Sequence, residues 1–242
     1  MQNKWYWIFR NIIFGPFLRV YNRPEIVGVD NIPSTGPAII ASNHQSVMDS
    51  FFLPLLCPRQ ITFLAKAEYF NGTTPVGRLQ KWFFTNVGQR PVNRTSASAG
   101  QDALNTAVEV LDDGDLFGIY PEGTRSPDGR LYKGKTGVAR IALASGAQVI
   151  PVAMIGTRDV NPIGTWFPRP GKVRVKVGDP IYPIEFVNNR GLERDSYEAI
   201  RALTDHIMRQ LQQLSGQEYA DVYAAEVKKA LAEGGDSSPH NP

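Results

Sequence analysis

The segment Asn43-His44-Gln45-Ser46-Val47-Met48-Asp49 places one of the chain's three histidines five residues before a carboxylate. A neutral imidazole near pH 7 is the commonest general base, and a carboxylate can orient it. In a continuous helix of about 100° per residue, the two side chains would point about 140° apart. The pair can therefore meet only if His44 sits on a loop and Asp49 lies near the start of the next helix. The apolar run Ala38-Ile39-Ile40-Ala41 before it and Ser50-Phe51-Phe52-Leu53 after it allow that arrangement. Taken alone, such a pair is most often a local hydrogen bond that fixes a loop.

The elements that would position this pair can be read along the chain. Glu25–Val29 reads as a short strand, residues 31–37 as a turn-rich link and residues 38–42 as a strand. The spacing predicts a helix over about 48–56, a strand over 61–65 and an amphipathic helix or lid over 75–85. Ser98 can cap a helix over about 99–112 that Gly114 closes. Strand-like Leu116–Tyr120 runs directly into Pro121-Glu122-Gly123-Thr124-Arg125-Ser126. A helix over about 135–145 ends at Gly146, and residues 149–155 suit a buried strand, although Pro151 weakens its ladder. Val173, Val175 and Val177 alternate with Arg174 and Lys176, as in a half-exposed strand. Amphipathic helices follow over 192–214 and about 217–232, and the small, polar tail 234–242 reads as disordered. Strands alternating with helices predict a single α/β domain with a mixed, largely parallel central sheet flanked by helices.

With 242 residues and 42% hydrophobic content, the chain can bury a full core as one domain. A single cysteine, Cys57, excludes an internal disulfide framework and any Cys-rich zinc site. Its apolar neighbours suit a buried thiol. His44, His206 and His240 are too scattered for a metal site, so no metal and no cofactor are expected.

The net charge of +3 is unevenly placed, because residues 1–23 carry Lys4, Arg10, Arg19 and Arg23 and no acid. A second basic stretch runs from Arg59 to Arg94. Basic residues among aromatics suit nucleic acid or an anionic membrane surface. The N-terminus favours the membrane and not nucleic acid. Trp5, Tyr6, Trp7, Phe9, Ile12, Ile13, Phe14 and Phe17 form an apolar aromatic cluster too short and too interrupted to span a bilayer. Residues 1–23 therefore read as an N-terminal interfacial helical element, an amphipathic segment lying on the membrane. Packing of the same aromatics on the domain is the alternative, and both can hold on opposite faces.

Four blocks occur in order: Asn43-His44 to Asp49, Gly88–Arg94, Tyr120–Ser126 and Val149–Ala153. On these the chain resembles the glycerolipid acyltransferases related to bacterial 1-acyl-sn-glycerol-3-phosphate acyltransferase. The resemblance covers about residues 25–180. The second block departs from it at Asn93, where relatives often carry an acidic residue.

The resemblance implies an acyltransferase domain over 24–215, with a C-terminal helix over 216–233. It implies that His44 takes the proton of a lysophosphatidic acid hydroxyl while Asp49 holds the imidazole in the right tautomer, with Asn43 as motif support. The implied mechanism requires no acyl-enzyme, and Ser46, which lies in no nucleophile elbow, is not assigned as a nucleophile. By family position Arg94 and Arg125 would bind the acceptor phosphate, with Lys66 and Lys133 as weaker candidates. Gly123 and Thr124 would let backbone approach the ligand, and Glu122 would accept a glycerol hydroxyl or hold Arg125. Backbone N–H groups at the start of the helix after His44 could stabilise the oxyanion. The fourth block would shape the pocket as a core strand. The acyl chain would draw on Phe51, Phe52, Leu53, Leu55, Leu56, Trp82, Phe83 and Phe84.

The expected partners are lysophosphatidic acid, an acyl thioester on CoA or acyl carrier protein, and the phospholipid surface. The expected location is peripheral, on the cytoplasmic face of the cell membrane. Two rivals are the same chemistry on glycerol-3-phosphate or another lysolipid, and phospholipid binding without turnover.

Overall fold

The computed structural model describes residues 3–92, 98–165 and 167–233. Asn93, Arg94 and the tail 234–242 lie outside the described residues. In chain order the elements are α1 (Lys4–Ile8), a π-helical turn (Phe9–Ile13), α2 (Phe14–Tyr21), β1 (Glu25–Val27), β2 (Ala38–Ser42), α3 (Asp49–Leu56), β3 (Ile61–Lys66), α4 (Pro75–Asn86) and β4 (Arg90–Val92). Next come α5 (Ala99–Asp112), β5 (Leu116–Ile119), β6 (Leu131–Tyr132), α6 (Gly137–Ser145), β7 (Gln148–Ile155), α7 (Thr157–Val160) and β8 (Arg174–Val177). The chain continues through α8 (Pro183–Asn188), α9 (Tyr197–Ser215), β9 (Tyr219–Ala220) and α10 (Ala224–Ala232).

The sheet order is β1-β8-β7-β2-β5-β3-β4, and β7–β8 is its one antiparallel pair among the described residues. The expected mixed, largely parallel sheet is thus present. All five residues of β2 are buried, as a strand covered on both faces requires. Its side chains alternate between two cores. Ile39 and Ala41 join Phe117, Val149 and residues of α5, α6 and α9, whereas Ala38 and Ile40 join Leu116, Ile150 and residues of α3.

β2, β3, β5 and β7 run the same way, so their carboxyl ends share one edge of the sheet. Ligands of open α/β sheets bind at such an edge. The chain leaves β2 into His44, leaves β5 into Tyr120–Arg125, and leaves β3 at Lys66.

Pro151 is tolerated in β7 because its neighbour slips register beside it. Val152 opposes Val177, but Val149 opposes Ile181, so one extra residue bulges there.

The N-terminal segment is helical and sends its side chains both ways. Tyr6, Phe9 and Leu18 are buried, while Trp7, Ile12, Ile13, Phe17 and Val20 are exposed. Pro16 cannot donate to the ladder, and its ring would clash with the carbonyl four residues back. The turn before it widens so that Phe14 N–H donates to Phe9 O. The packing demands Gly15, since a Cβ there would lie 1.8 Å from Arg10 O. No described helix is long and apolar enough to cross a membrane.

Three elements differ from expectation. Residues 217–232 are not one helix: Tyr219–Ala220 pairs in parallel with Leu131–Tyr132, and α10 starts only at Ala224. The helix expected from 192 begins at Tyr197, where the Ser196 side chain caps Ala199 N–H. The Ser98 hydroxyl donates to the Asp102 carboxylate, 2.8 Å away.

Candidate active site

Asp49 is the first residue of α3, where the helix dipole favours a carboxylate. It is fully buried, and one oxygen, Oδ2, gathers three contacts. His44 Nδ1 lies at 2.9 Å, Gln45 N–H donates at 2.7 Å and Ser46 N–H at 2.8 Å. The loop expected between β2 and the helix is thus folded around the carboxylate it needs. An Nδ1–H donated to Oδ2 leaves the lone pair on Nε2, the tautomer a base requires. Nε2 has no hydrogen bond among the described residues.

The imidazole is fixed by its face as well as its edge. The Tyr120 ring stacks on it with centroids 3.9 Å apart and an interplanar angle of 11°. Tyr120 OH shares a 3.1 Å hydrogen bond with Ser50 Oγ, and Phe63 stacks behind at 5.5 Å. Burial raises the Tyr120 phenol well above its ordinary range, and the nearby Asp49 charge adds to this, so it stays neutral.

The third block clamps the first. Glu122 Oε1 accepts from His44 N–H at 2.9 Å and Oε2 from Tyr132 N–H at 3.0 Å, while Ser126 N–H donates to His44 O at 2.8 Å. Glu122 is fully buried, and burial pushes its carboxyl up to about 8 against the pull of those two backbone hydrogen bonds. Among the described residues Glu122 does not hold Arg125: each of its oxygens accepts from a backbone amide. Its place is behind His44, as a positioning group.

The fourth block clamps the first from the other side. Asn43 Oδ1 accepts from Met154 N–H at 2.7 Å, and its amide donates to Met154 O at 3.0 Å and to Gln217 Oε1 at 2.7 Å. Ser46 Oγ lies 2.9 Å from both Asn161 oxygens and accepts from Met48 N–H at 3.1 Å.

The amides expected to form an oxyanion site are largely engaged. Gln45 and Ser46 N–H are held by Asp49, and Met48 N–H by Ser46 Oγ. Because the Asp49 carboxylate curls back to meet His44, it takes the donors that the helix start would otherwise offer.

Gly123 turns the third block with φ 74°, in the left-handed region where glycine is favoured, and Lys135 packs over it. Thr124 Oγ1 accepts from Lys228 Nζ at 2.6 Å. Arg125 is half-buried, and its guanidinium has no hydrogen bond or ion pair among the described residues. Lys66 is exposed at the carboxyl end of β3, on the same sheet edge. Lys133 is engaged elsewhere, with Asp221 at 3.0 Å.

Of the apolar pool, Phe52, Leu53 and Leu55 are core. Phe51, Leu56, Phe83 and Phe84 are half-buried, and Trp82 is exposed. Gln217 and Lys228 escaped the sequence reading because they lie far from every block. Tyr120 stood within a block, and its stacking role follows only once β5 is placed beside β2.

The chain matches the model of a family described as Acyltransferase over residues 23–155. It is 32% identical over 177 residues to the chloroplastic 1-acyl-sn-glycerol-3-phosphate acyltransferase LPAT1 of Arabidopsis thaliana, covering 72% of this chain and 47% of the relative. It is 27% identical over 201 residues to the 1-acyl-sn-glycerol-3-phosphate acyltransferase of Bacillus subtilis, covering 81% and 87%. The chain spans about half the length of its plant chloroplast relatives, 47% in Arabidopsis thaliana and 46% in Brassica napus. The crystal structure of the 1-acyl-sn-glycerophosphate (LPA) acyltransferase PlsC from Thermotoga maritima aligns with a TM-score of 0.62 at 28% identity, over 83% of this chain and 76% of that one.

Proposed function

The chain belongs to the acyltransferase family, and from that premise we propose that it moves a fatty acyl group from an acyl thioester to the free hydroxyl of 1-acyl-sn-glycerol-3-phosphate, giving phosphatidic acid. The observation that carries the reading is the convergence on Asp49 Oδ2, which holds His44 with Nε2 unbonded among the described residues. Nε2 takes the acceptor hydroxyl proton as the oxygen attacks the thioester carbonyl. The tetrahedral oxyanion collapses, the C–S bond breaks, and the imidazolium returns the proton to the departing thiolate. The buried Asp49 carboxylate stabilises that imidazolium. The reaction is a triad chemistry in which the substrate supplies the hydroxyl.

Arg125 is the cation for the acceptor phosphate, since a guanidinium fork matches phosphate oxygens. Arg94, outside the described residues, and the exposed Lys66 are the further candidates. The Thermotoga maritima and Bacillus subtilis proteins, whose names state this acceptor, support the assignment.

The enzyme works at a phospholipid surface, lying on it as a peripheral protein. Ile12, Ile13, Phe17 and Val20 of the N-terminal helices and Val76, Leu79 and Trp82 of α4 are exposed. Trp5 and Trp82 touch at 5.0 Å and join the two faces. Lys4, Arg19, Arg78 and Lys81 stand exposed among them, suited to anionic headgroups.

A panel of lysolipids and glycerol-3-phosphate, crossed with acyl-CoA and acyl carrier protein thioesters, tests the reading with purified protein. Phosphatidic acid from lysophosphatidic acid is the expected major product. Turnover confined to other acceptors, or none, contradicts it.

A further inference from the structure

We propose that Lys228, on the C-terminal helix α10, is a phosphate-binding residue of the acceptor site, an inference that rests on the acceptor assignment above. Lys228 lies beyond the span matched by the family, residues 23–155, and 104 positions after Thr124. Yet its ammonium donates to Thr124 Oγ1 at 2.6 Å, inside the third block.

The contact is built in. Ala224 and Val227 of α10 pack with Ala220 against the fully buried Tyr132, whose own N–H is held by Glu122. Beta strand β9 adds to β6 alongside, and Lys133 binds Asp221. The C-terminal segment is thereby pinned to the turn after β5, and α10 presents Lys228 one residue after Val227.

Three cations then surround Gly123–Arg125. Lys135 packs on Gly123, Lys228 sits on Thr124, and Arg125 ends the turn; partial burial first, and the Arg125 charge second, disfavour the Lys228 charge. Among the described residues none of the three forms an ion pair. Glu122 is the one acid that acts on Lys228, and its oxygens are committed to two backbone amides. Asp128 serves Arg130, and Asp221 serves Lys133. Like charges gathered in a partly desolvated site are unfavourable alone and favourable around a dianion. The chemistry that fits is a phosphate monoester.

Lys228→Met and Lys228→Arg separate this role from simple anchoring. With lysophosphatidic acid varied at fixed acyl thioester, Lys228→Met should raise the acceptor KM about tenfold or more, the value of one charge-assisted hydrogen bond, with kcat little changed. Lys228→Arg should restore most of the loss. Inorganic phosphate should raise the melting temperature of the wild type by mass action and raise that of Lys228→Met much less. A matched phosphate response in the two proteins overturns the proposal whatever the acceptor is. A lost phosphate response without turnover of lysophosphatidic acid upholds the anion site and rejects the acceptor assignment instead. A lower melting temperature with unchanged KM and phosphate response reduces Lys228 to an anchor and also overturns it.

Discussion

The Glu122 carboxyl accepts the backbone N–H of His44 at 2.9 Å, so a side chain from the turn after β5 holds the histidine that follows β2. The two strands are parallel neighbours, with Ala41 opposite Ile119, and deliver the two turns to one edge. A buried carboxyl bonded to two amides therefore links the first and third blocks, and it has a pH signature.

Burial lifts the Glu122 pKa from 4.5 to about 8. A raised folded-state pKa means that its contribution to stability is complete below the unfolded value and is lost as pH rises through about 8. The wild type should therefore lose melting temperature between pH 5 and pH 9 more steeply than Glu122→Gln, which cannot ionise. Parallel curves for the two proteins would remove Glu122 as the source. The amide can accept from only one of the two N–H groups, so Glu122→Gln should also lower kcat by disturbing His44.

Gly118 sets the stack behind the imidazole. A Cβ there would meet Phe63 Cε1 at 2.3 Å, and Phe63 stacks on Tyr120, which stacks on His44. Gly118→Ala should cost about 1–3 kcal/mol of stability from overpacking. It should also reduce kcat at unchanged acceptor KM, measured by steady-state kinetics alongside thermal unfolding. Full activity would show that the stack does not set the imidazole plane.

Membrane attachment is best tested on exposed side chains, because deleting residues 1–23 would strip Tyr6, Phe9 and Leu18 from the core. The double variant Ile12→Ser, Phe17→Ser leaves that packing intact. Each buried apolar side chain contributes about 1.5–3 kcal/mol, so sedimentation with anionic vesicles should show at least a tenfold weaker partition. Undiminished partition would place the docking surface elsewhere.

Much of this molecule is legible in its residues, for physical reasons. β2 and β5 are apolar runs feeding turn-forming blocks, and their periodicity and composition mark them. β4, β6 and β9 have two or three residues each, too few to show a period. Spacing shows only that His44 and Asp49 can meet across a loop and a helix start, and the family resemblance supplies the pairing. The part of Glu122 could not be read from the sequence, because its motif is equally consistent with ligand binding, and only the position of Tyr132 shows where its second oxygen goes. Nor could the engagement of the Gln45 and Ser46 amides be foreseen, because it follows from the curl of the loop. Gln217 and Lys228 reach the site through tertiary packing alone, across more than a hundred residues.

In the proposed reaction His44, held by Asp49, removes the acceptor proton. Phosphatidic acid formation from lysophosphatidic acid and an acyl thioester, measured for wild type and His44→Ala at saturating substrates, tests it most directly. Loss of a positioned general base should lower kcat by about 10²–10⁴-fold while the melting temperature stays near that of the wild type. Undiminished product formation by His44→Ala would contradict the account.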